Sequence, residues 1–231
     1  MEKYKILIKF ASRSREQKFF TCLDNIFNNV IDKENFCVLV SLDIDDISMY
    51  NQNTLNRLST YLNKYPNNLI VKFATSKNKI DAINRDVNEI KERFNFDILI
   101  NFSDDMLWTR HGFDEVIREK FKLHFPDTNG NLHFNDGYTK ERLCTMSIIG
   151  RKYYDKYNYI YHPSYISLWC DNEYTIVAKN QQKMVYFEEL IFVHNHPSNV
   201  GGIVDEQLKK TESFAEVDYN NFMNRQKNNF I

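Results

Sequence analysis

The stretch Ile98-Leu99-Ile100-Asn101-Phe102-Ser103-Asp104-Asp105 joins an apolar strand directly to two adjacent acids. A rigid strand that ends in carboxylates presents the hard oxygen ligands that Mg²⁺ and Mn²⁺ prefer. The other interpretation is that Asp104 or Asp105 caps the start of a helix and interacts with its dipole. The choice between them depends on where this strand lies in the fold, which the preceding sequence indicates.

Strands and helices alternate along the first 105 residues. The apolar patterns predict strands at residues 4–10, 36–42, 69–73 and 97–102, and helices at 16–28, around 55–62 and at 80–94. The run 36–42 is continuously apolar, which is typical of a strand buried on both faces. Alternation of this kind implies right-handed crossovers and a mostly parallel sheet flanked by helices.

The second half of the sequence is less regular. Its patterns predict helices at 113–125 and 171–179, short strands at 132–134, 143–149, 184–187 and 190–194, and an amphipathic helix at 204–228. No internal repeat or low-complexity linker divides the sequence. We therefore expect a single α/β domain over residues 1–231, with an irregular α+β part after residue 105 and a C-terminal helix at 204–231.

The composition is that of a globular protein. Hydrophobic residues make up 42% and aromatic residues 15% of the sequence, which excludes a disordered chain. The net charge of −1 argues against a dedicated nucleic-acid coat protein. The four cysteines lack metal-finger spacing and are expected to be free buried thiols in a reducing compartment. Because no apolar run is long enough to span a membrane, we expect a cytoplasmic protein.

Polar side chains follow the carboxyl end of each predicted strand in the first half. They are Ser12, Arg13 and Arg15 after the first strand, Asp43 after the second, Ser76 and Lys79 after the third, and Asp104 and Asp105 after the fourth. Ligands of open parallel sheets bind beyond the carboxyl ends of the strands. Cations there can bind a diphosphate, while carboxylates hold a divalent metal that bridges the same phosphates. The pattern therefore predicts a nucleotide or nucleotide-sugar site.

The order and spacing of these motifs resemble those of family-two-type glycosyltransferases with the GT-A fold. The matching stretches are residues 10–15, 40–43, 78–85, 103–105, 171–173 and 194–197. A further set resembles a tail motif of virus and phage-type members, namely Asp205, Asp218, Phe222 and Arg225. The resemblance implies a nucleotide-binding half at 1–105, an acceptor-binding and catalytic half at 106–203, and a location in the host cytoplasm if the protein is viral.

The resemblance also implies roles in the donor site. Asp43 would hydrogen-bond the nucleotide base, Asp104 would face the ribose, and Asp105 would bind Mn²⁺ or Mg²⁺. The remaining donor-site residues would lie near the nucleotide or its diphosphate, namely Ser12, Arg13, Arg15, Lys79, Asn84 and Arg85. The commonest family pattern is Asp-x-Asp, and Ser103 replaces its first acid here, so the role of Asp104 is less well defined than that of Asp105.

Asp171 and Glu173, near the start of a predicted helix, occupy the position of the family's catalytic acid pair. An inverting transfer needs a carboxylate that takes the proton from the acceptor hydroxyl as it attacks the anomeric carbon. Either acid can be that base, and the resemblance favours Asp171, because the family's base lies nearest the preceding loop. The alternative is ordinary helix capping. Trp169 is expected either to stack on a sugar ring or to lie in the core.

The segment His194-Asn195-His196-Pro197 follows an apolar strand, so that one imidazole is expected to face the site. The resemblance implies that His194 or His196 adds a ligand to the metal. The alternative is a solvated turn. The pair Gly201-Gly202 downstream is interpreted either as a joint for a lid over the donor or as a simple turn.

The site pattern and the resemblance lead us to expect a metal-dependent glycosyltransferase that moves a sugar from a nucleotide diphosphate sugar to an acceptor hydroxyl. The resemblance alone implies that the transfer is inverting. Two alternatives remain. One is a nucleotidyltransferase, which the lack of glycine in residues 11–15 disfavours, and the other is an inactive nucleotide-sugar-binding module. The sequence leaves open whether the acceptor is a glycan, a protein or a modified DNA base, and it leaves the oligomeric state open.

Overall fold

The computed structural model describes residues 3–201 and 205–231. Four parallel strands form one side of its main sheet, namely β1 (Ile6–Ala11), β2 (Phe36–Asp43), β3 (Leu69–Ala74) and β4 (Ile98–Phe102). Their order in space is β3-β2-β1-β4, so the first and fourth strands of the sequence lie side by side. The four strands predicted for the first half are therefore confirmed, and their carboxyl ends meet at one edge of the sheet.

Three more strands complete this sheet within the described residues: β6 (Asn131–Asn135), β7 (Ile148–Gly150) and β8 (Met184–Leu190). β7 pairs antiparallel with β4 and β6, whereas β6 and β8 are parallel. A separate antiparallel pair joins β5 (Met106–Trp108) to β9 (Phe192–His194). The fold is thus a mixed α/β sheet that is mostly parallel. The strand predicted at 143–149 is wrong in its extent, and β5 was not predicted because three residues carry too short a pattern.

Helices cover both faces of the main sheet. One face carries α1 (Glu16–Asn29), α2 (Gln52–Lys64) and α5 (Phe113–His124). The other carries α3 (Lys79–Asn84), α4 (Val87–Ile90), α6 (Arg151–Tyr157) and α7 (Cys170–Asn180). Side chains alternate along β1, so Ile8 packs into the first core cluster and Leu7 into the second. The four cysteines are buried as free thiols. Among the described residues, none of the helices combines the length and the apolar character that a membrane span needs.

The helix predicted at 80–94 is wrong, because α3 and α4 are separate helices. Asp86, between them, has a φ of 72°, which lies in the left-handed region and stops the helical ladder. Arg85 is turned inward, where its Nη2 donates to the Leu42 carbonyl over 2.7 Å. The break therefore places the partly buried side chains of Arg85 and Asp86 next to each other, near the carboxyl end of β2.

The C-terminal segment also differs from the single helix predicted at 204–228. It forms α9 (Glu206–Glu212) and α10 (Ala215–Lys227), preceded by α8 (Pro197–Val200). The two longer helices bury different surfaces: α9 buries Leu208 and Thr211, whereas α10 buries Asp218 and Phe222. A straight helix cannot reach both surfaces, which accounts for the break. Gly202, the second residue of the predicted joint, lies outside the described residues. So does Val204, the first residue of the predicted helix.

Candidate active site

A cleft of about 720 Å³ lies at the carboxyl ends of β1, β2 and β4. Its walls also include the start of α7, the end of β9 and one side of α9. Most of the residues predicted for the site line it, namely Ser12, Arg13, Arg15, Asp43, Lys79, Asp104, Asp105, Asp171, His194 and His196. Three predicted residues are not among its lining residues: Asn84, Arg85 and Glu173.

Asp43, the last residue of β2, is held from several sides. Its Oδ2 accepts a hydrogen bond from Arg13 Nη1 over 2.9 Å, and its Oδ1 accepts one from Ser76 Oγ over 2.6 Å. Arg85 Nη2 lies 3.4 Å from the same Oδ1. Arg13 also forms a two-pronged pair with Asp45, at 2.8 and 2.9 Å. These contacts fix the position and orientation of the Asp43 carboxylate at the cleft wall.

Asp104, the first acid after β4, is also tied to the first loop. Ser12 Oγ donates to its Oδ2 over 2.6 Å, and Arg15 Nη1 donates to its Oδ1 over 2.9 Å. Burial raises the pKa of Asp104, while Arg15 and Ser12 stabilise its ionised form. Arg15 extends the contact to Asp205, with two hydrogen bonds of 2.9 Å. Arg15 therefore connects β4 to the start of α9 across the cleft.

Asp105 faces a different set of partners. Its Oδ1 lies 3.4 Å from His194 Nε2, and it accepts a hydrogen bond from the hydroxyl of Ser103. Burial acts to raise its pKa, but contacts with His194 and Ser103 and the charge of Lys79 outweigh burial and lower it well below the usual range. The β5–β9 pairing brings these groups together, since Met106 lies opposite His194. These contacts thus favour the ionised form of the Asp105 carboxylate, which lines the cleft.

Asp105 and His194 are the residues that fit a divalent cation best. No group of three or more His, Cys, Asp or Glu side chains is arranged for a metal within the described residues. Mg²⁺ and Mn²⁺ sites of nucleotide enzymes take one or two protein ligands, and phosphate oxygens and water supply the rest. Asp105 Oδ1 and His194 Nε2, 3.4 Å apart, are near enough to contact one ion. The Nδ1 of His194 is buried and has no hydrogen-bond partner among the described residues.

His196 is less suited to that role. Its Nδ1 accepts hydrogen bonds from Ser198, at 3.3 Å from the backbone nitrogen and 2.7 Å from Oγ, and so caps α8. A neutral imidazole that accepts at Nδ1 carries its proton on Nε2 and is a donor there. Burial lowers the pKa of His196, which favours this neutral form. The Nε2 of His196 therefore carries a proton and has no free lone pair with which to bind a metal ion.

The two candidate bases of α7 point in different directions. Asp171 lines the cleft, and its carboxylate accepts one hydrogen bond, 3.0 Å long, from the backbone of Asn172. Glu173 is buried instead, where it accepts two hydrogen bonds from Arg225, at 2.7 and 2.8 Å, and one from Tyr165 at 2.8 Å. Residues two apart on a helix are about 200° apart, so both cannot face the same cleft.

Asp171 has the electrostatics of a proton acceptor. Burial raises its pKa, while Lys79 and His194 are near enough for their charges to act in the opposite direction. Lys79, at the start of α3, is exposed in the cleft wall and its charge acts on Asp105 as well. A carboxylate with a raised pKa binds a proton more strongly than an ordinary one, as a general base requires.

Asn84 and Arg85 support the site from outside the cleft. The Asn84 side chain accepts hydrogen bonds from the backbones of Ile160 and Tyr161, at 2.9 and 3.1 Å, and donates to the Tyr161 carbonyl. It therefore anchors the loop before α7 and has little capacity left for a ligand.

Trp169, predicted either for sugar stacking or for the core, packs on two aromatic side chains of α10. Its ring centroid lies 4.8 Å from that of Tyr219 and 5.4 Å from that of Phe222.

The contribution of the C-terminal helices was not predicted in this form. Five residues of α9 and its C-terminal flank line the cleft, namely Gln207, Leu208, Lys210, Thr211 and Phe214. In α10, Asp218 accepts the backbone N–H groups of Ile166, Ser167 and Leu168 at 2.7 to 2.9 Å, which fixes the loop before Asp171. The tail residues Asp205, Asp218 and Arg225 were noted in the sequence, but their partners lie 50 or more positions away, beyond the reach of local patterns.

No family model and no curated protein matches this sequence. Among solved structures, a mannosyltransferase from Pyrobaculum calidifontis in complex with GDP-Man and Mn²⁺ aligns with a TM-score of 0.63 at 12% identity, over 87% of this chain and 59% of that one. TarS from S. aureus in complex with UDP-GlcNAc aligns with a TM-score of 0.61 at 13% identity, over 93% and 66%. A cytidylyltransferase from Leptospira borgpetersenii aligns with a TM-score of 0.51 at 16% identity, over 99% and 95%.

The similarity to these proteins is one of fold. This chain spans about three fifths of the mannosyltransferase and two thirds of the TarS fragment, at identities of 12% and 13%. The predicted GT-A fold is confirmed, whereas the family-two and virus-type assignments remain predictions. The chain therefore has the mixed α/β fold of the GT-A-type glycosyltransferases.

Proposed function

We propose that this protein is a metal-dependent, inverting glycosyltransferase that moves a sugar from a nucleotide diphosphate sugar to an acceptor hydroxyl. The observation that carries the proposal is that Asp171 lines the same cleft as the Asp105–His194 pair. A candidate base and a candidate metal site thereby face one volume. That volume, about 720 Å³, is within the range of small-molecule sites.

The donor would lie along the carboxyl ends of the strands, as ligands of this fold class do. Asp43 would bind the base and Asp104, through its neighbours Ser12 and Arg15, would shape the ribose site. Asp105 and His194 would hold Mn²⁺ or Mg²⁺ at the diphosphate, where the cation would neutralise the charge of the leaving group. Lys79, exposed in the cleft wall, would pair its ammonium group with a phosphate oxygen.

Asp171 would act on the acceptor. Its carboxylate takes the proton of the acceptor hydroxyl while that oxygen forms a bond to the anomeric carbon. The bond from the anomeric carbon to the diphosphate oxygen breaks, and its electron pair leaves with the nucleoside diphosphate. The raised pKa of Asp171 favours this proton transfer, and burial is its main cause.

A nucleotidyltransferase is the second candidate, because the Leptospira cytidylyltransferase aligns over nearly its whole length. Such an enzyme transfers a nucleotidyl group from a nucleoside triphosphate to an acceptor and releases pyrophosphate. With a phosphate acceptor it needs no base aimed at a hydroxyl group, so the position of Asp171 favours the glycosyltransferase. Release of pyrophosphate from a nucleoside triphosphate would support the second candidate, and hydrolysis of a nucleotide sugar would support the first.

The first test is a thermal-shift screen of UDP, GDP, CDP, dTDP and their sugars, with and without Mn²⁺. A ligand at 100 times its Kd adds about 2.7 kcal/mol to the free energy of unfolding. For a chain of this length that raises Tm by roughly 5 to 10 °C. We expect one base to give a shift that needs Mn²⁺. A screen in which no nucleotide shifts Tm would refute the proposal and leave a plain α/β binding module.

A further inference from the structure

Lys9 is a fully buried lysine in the middle of β1, with 0% of its surface exposed. Its ammonium group donates a hydrogen bond to Ser41 Oγ on the neighbouring strand β2. Ser41 in turn donates to Asp86 Oδ2, which lies 4.0 Å from Lys9 Nζ. The charge of Lys9 is therefore balanced by Asp86, directly and through one hydroxyl.

Asp86 is shared with a second cation. Arg85 Nη1 lies 3.3 Å from Asp86 Oδ2, while Arg85 Nη2 lies 3.4 Å from Asp43 Oδ1 in the cleft wall. Lys9, Asp86, Arg85 and Asp43 thus form a row of alternating charges, which we call the buried charge row. It runs from Lys9, in the interior of the sheet, to Asp43 in the cleft wall.

The buried charge row is costly to the fold. A buried ion pair is often no more stabilising than apolar residues of the same size. Asp86 has a left-handed φ of 72°, which interrupts the helix that the sequence otherwise favours. Arg85 Nε is buried without a hydrogen-bond partner among the described residues, and Arg85 Nη1 lies near Asp86 without the geometry of a hydrogen bond. An apolar residue at position 9 would stabilise the core at least as well as Lys9. The buried charge row therefore points to a role in the donor site.

We propose that Lys9 is a positioning residue of the donor site, which occupies Asp86 and so leaves Arg85 free to hold Asp43 in the cleft wall. This inference rests on the proposed function. When Lys9 carries its charge, Asp86 is neutralised from two sides. When Lys9 is neutral, Arg85 becomes the main counter-ion of Asp86 and is drawn away from Asp43. The Asp43 carboxylate then loses one of its three supports.

The consequence is confined to donor binding. Asp105 and Asp171 lie on other elements, after β4 and at the start of α7, and neither contacts the buried charge row in the described contacts. Loss of the Lys9 charge should therefore raise the KM and Kd of the donor and leave kcat nearly unchanged. Because Asp43 keeps its other two supports, the expected loss is that of one ordinary hydrogen bond, roughly a three- to tenfold weaker affinity.

A dependence on pH follows. Burial lowers the pKa of Lys9 to about 7, and the charged groups that face its ammonium group are Asp86, Arg85 and Asp43. The charge of Lys9 is present below that value and is lost as the pH rises through it. Donor affinity should therefore fall from about pH 6 to about pH 8.5. A nucleotide sugar is the right probe, because its diphosphate has no group that titrates in this range.

The experiment measures Kd, KM and kcat for the nucleotide sugar that gives the largest thermal shift, with the wild type, Lys9→Met and the double variant Lys9→Met/Asp86→Asn. We expect Lys9→Met to weaken binding roughly three- to tenfold. The double variant should bind within about twofold of the wild type, since Asp86 no longer competes for Arg85. Removal of both charges also guards against the unfolding that a single uncompensated buried charge can cause.

Lys72→Met is the matched control, because Lys72 lies on β3 and pairs with Glu89 away from the cleft. It should keep both the affinity and its dependence on pH, whereas Lys9→Met should lose the dependence on pH. Wild-type affinity in Lys9→Met, or equal weakening in Lys9→Met and the double variant, would overturn the inference while leaving the proposed function intact. Absence of any nucleotide binding by the wild type would overturn both.

Discussion

Carboxylates at the two ends of the cleft have different partners. At the arginine end, formed by Arg13, Arg15, Asp43 and Asp104, each carboxylate accepts a hydrogen bond of 2.9 Å from an arginine. At the open end, formed by Lys79, Asp105, Asp171 and His194, no arginine contacts either carboxylate within the described residues. Asp105 meets His194 at 3.4 Å, and Asp171 accepts a single backbone hydrogen bond.

This difference in hydrogen-bond partners separates carboxylates that hold the structure of the cleft from carboxylates that are free to bind a cation or take a proton. A carboxylate with two or three strong partners keeps its position, and only one or two of its four lone-pair sites are left to bind a ligand. A partly buried carboxylate with few partners gains more when a cation or a hydroxyl group arrives. Substitutions at the open end should therefore change the reaction, whereas substitutions in the arginine network should change binding and stability. The following predictions test that division.

The largest effect is expected for Asp171→Asn. Loss of a general base lowers kcat by about 10²- to 10⁴-fold. The Kd of the donor should change little, because the nucleotide contacts lie on other elements. Steady-state kinetics combined with donor titration measures both quantities. A variant that turns over at the wild-type rate would place the base elsewhere.

The acid side of the rate profile gives a second check on Asp171. The base must be deprotonated, and its pKa is raised, mainly by burial. Transfer should therefore decline, as the pH falls, at a higher pH than the ordinary aspartate pKa of about 3.9 predicts. Rates measured across the acid range with wild type and Asp171→Asn separate this titration from general unfolding. The residual activity of the variant should lack that step.

Asp105→Asn is expected to have the next largest effect. A cation at a developing charge contributes several kcal/mol, so loss of its carboxylate ligand should cost about 10²-fold in transfer. Unlike Asp171→Asn, this variant should also lose the Mn²⁺-dependent part of the nucleotide thermal shift. Titration of Mn²⁺ with the nucleotide held constant measures that part. A shift that keeps its wild-type dependence on Mn²⁺ would contradict the assignment of Asp105.

The sequence predicts the parallel half of the fold well, because strands such as 36–42 carry their own apolar pattern and end at polar residues. It does not predict the break at Asp86, because Lys9 and Ser41, which contact the Asp86 side chain, lie 77 and 45 positions earlier in the sequence. β5 has only three residues, too few to carry a pattern, and its partner β9 lies more than 80 residues away. Nonlocal partners of this kind leave no mark in a short window of sequence.

The candidate site shows the same limit in finer detail. The residues after the strands could be placed at one edge because parallel strands share their direction. Which acid of α7 faces the cleft depends on Arg225, whose guanidinium takes Glu173. The helical angle of about 200° between positions 171 and 173 does indicate that only one of them can face it. The sequence could therefore exclude a joint role, but it could not choose between the two.

Glu173→Gln tests the claim that Glu173 maintains shape. The side chains of Glu173 and Arg225 are only 8% and 11% exposed, and removal of one charge leaves the other buried without compensation. Such losses cost about 3 to 5 kcal/mol, which lowers Tm by roughly 6 to 20 °C in a chain of this size. Below its Tm the variant should retain transfer. The double variant Glu173→Gln/Arg225→Met should recover part of the loss, and a failure to recover would show that the pair is not the cause.

The smallest effect is expected for Asp205→Asn, at the far side of the arginine network. Asp205 caps α9 by accepting from the backbone of Leu208 over 2.8 Å, and asparagine caps about as well as aspartate. The substitution therefore removes mainly the ion pair with Arg15. Because the Asp205 side chain is one third exposed, at 33%, the pair should contribute only about 0.5 to 1 kcal/mol.

The pH dependence of the difference in stability between the wild type and Asp205→Asn shows whether the ion pair with Arg15 causes it. Its hydrogen bond with Arg15 lowers the pKa of Asp205, so the stabilisation is present above the unfolded pKa of about 3.9 and is lost as the pH falls through the folded value. The Tm values of wild type and Asp205→Asn should differ at neutral pH and converge in acid. A difference that persists in acid would mean that the cap, and not the charge of Asp205, connects α9 to the arginine end. The donor Kd should change by less than about twofold, because Arg15 keeps Asp104 as its partner.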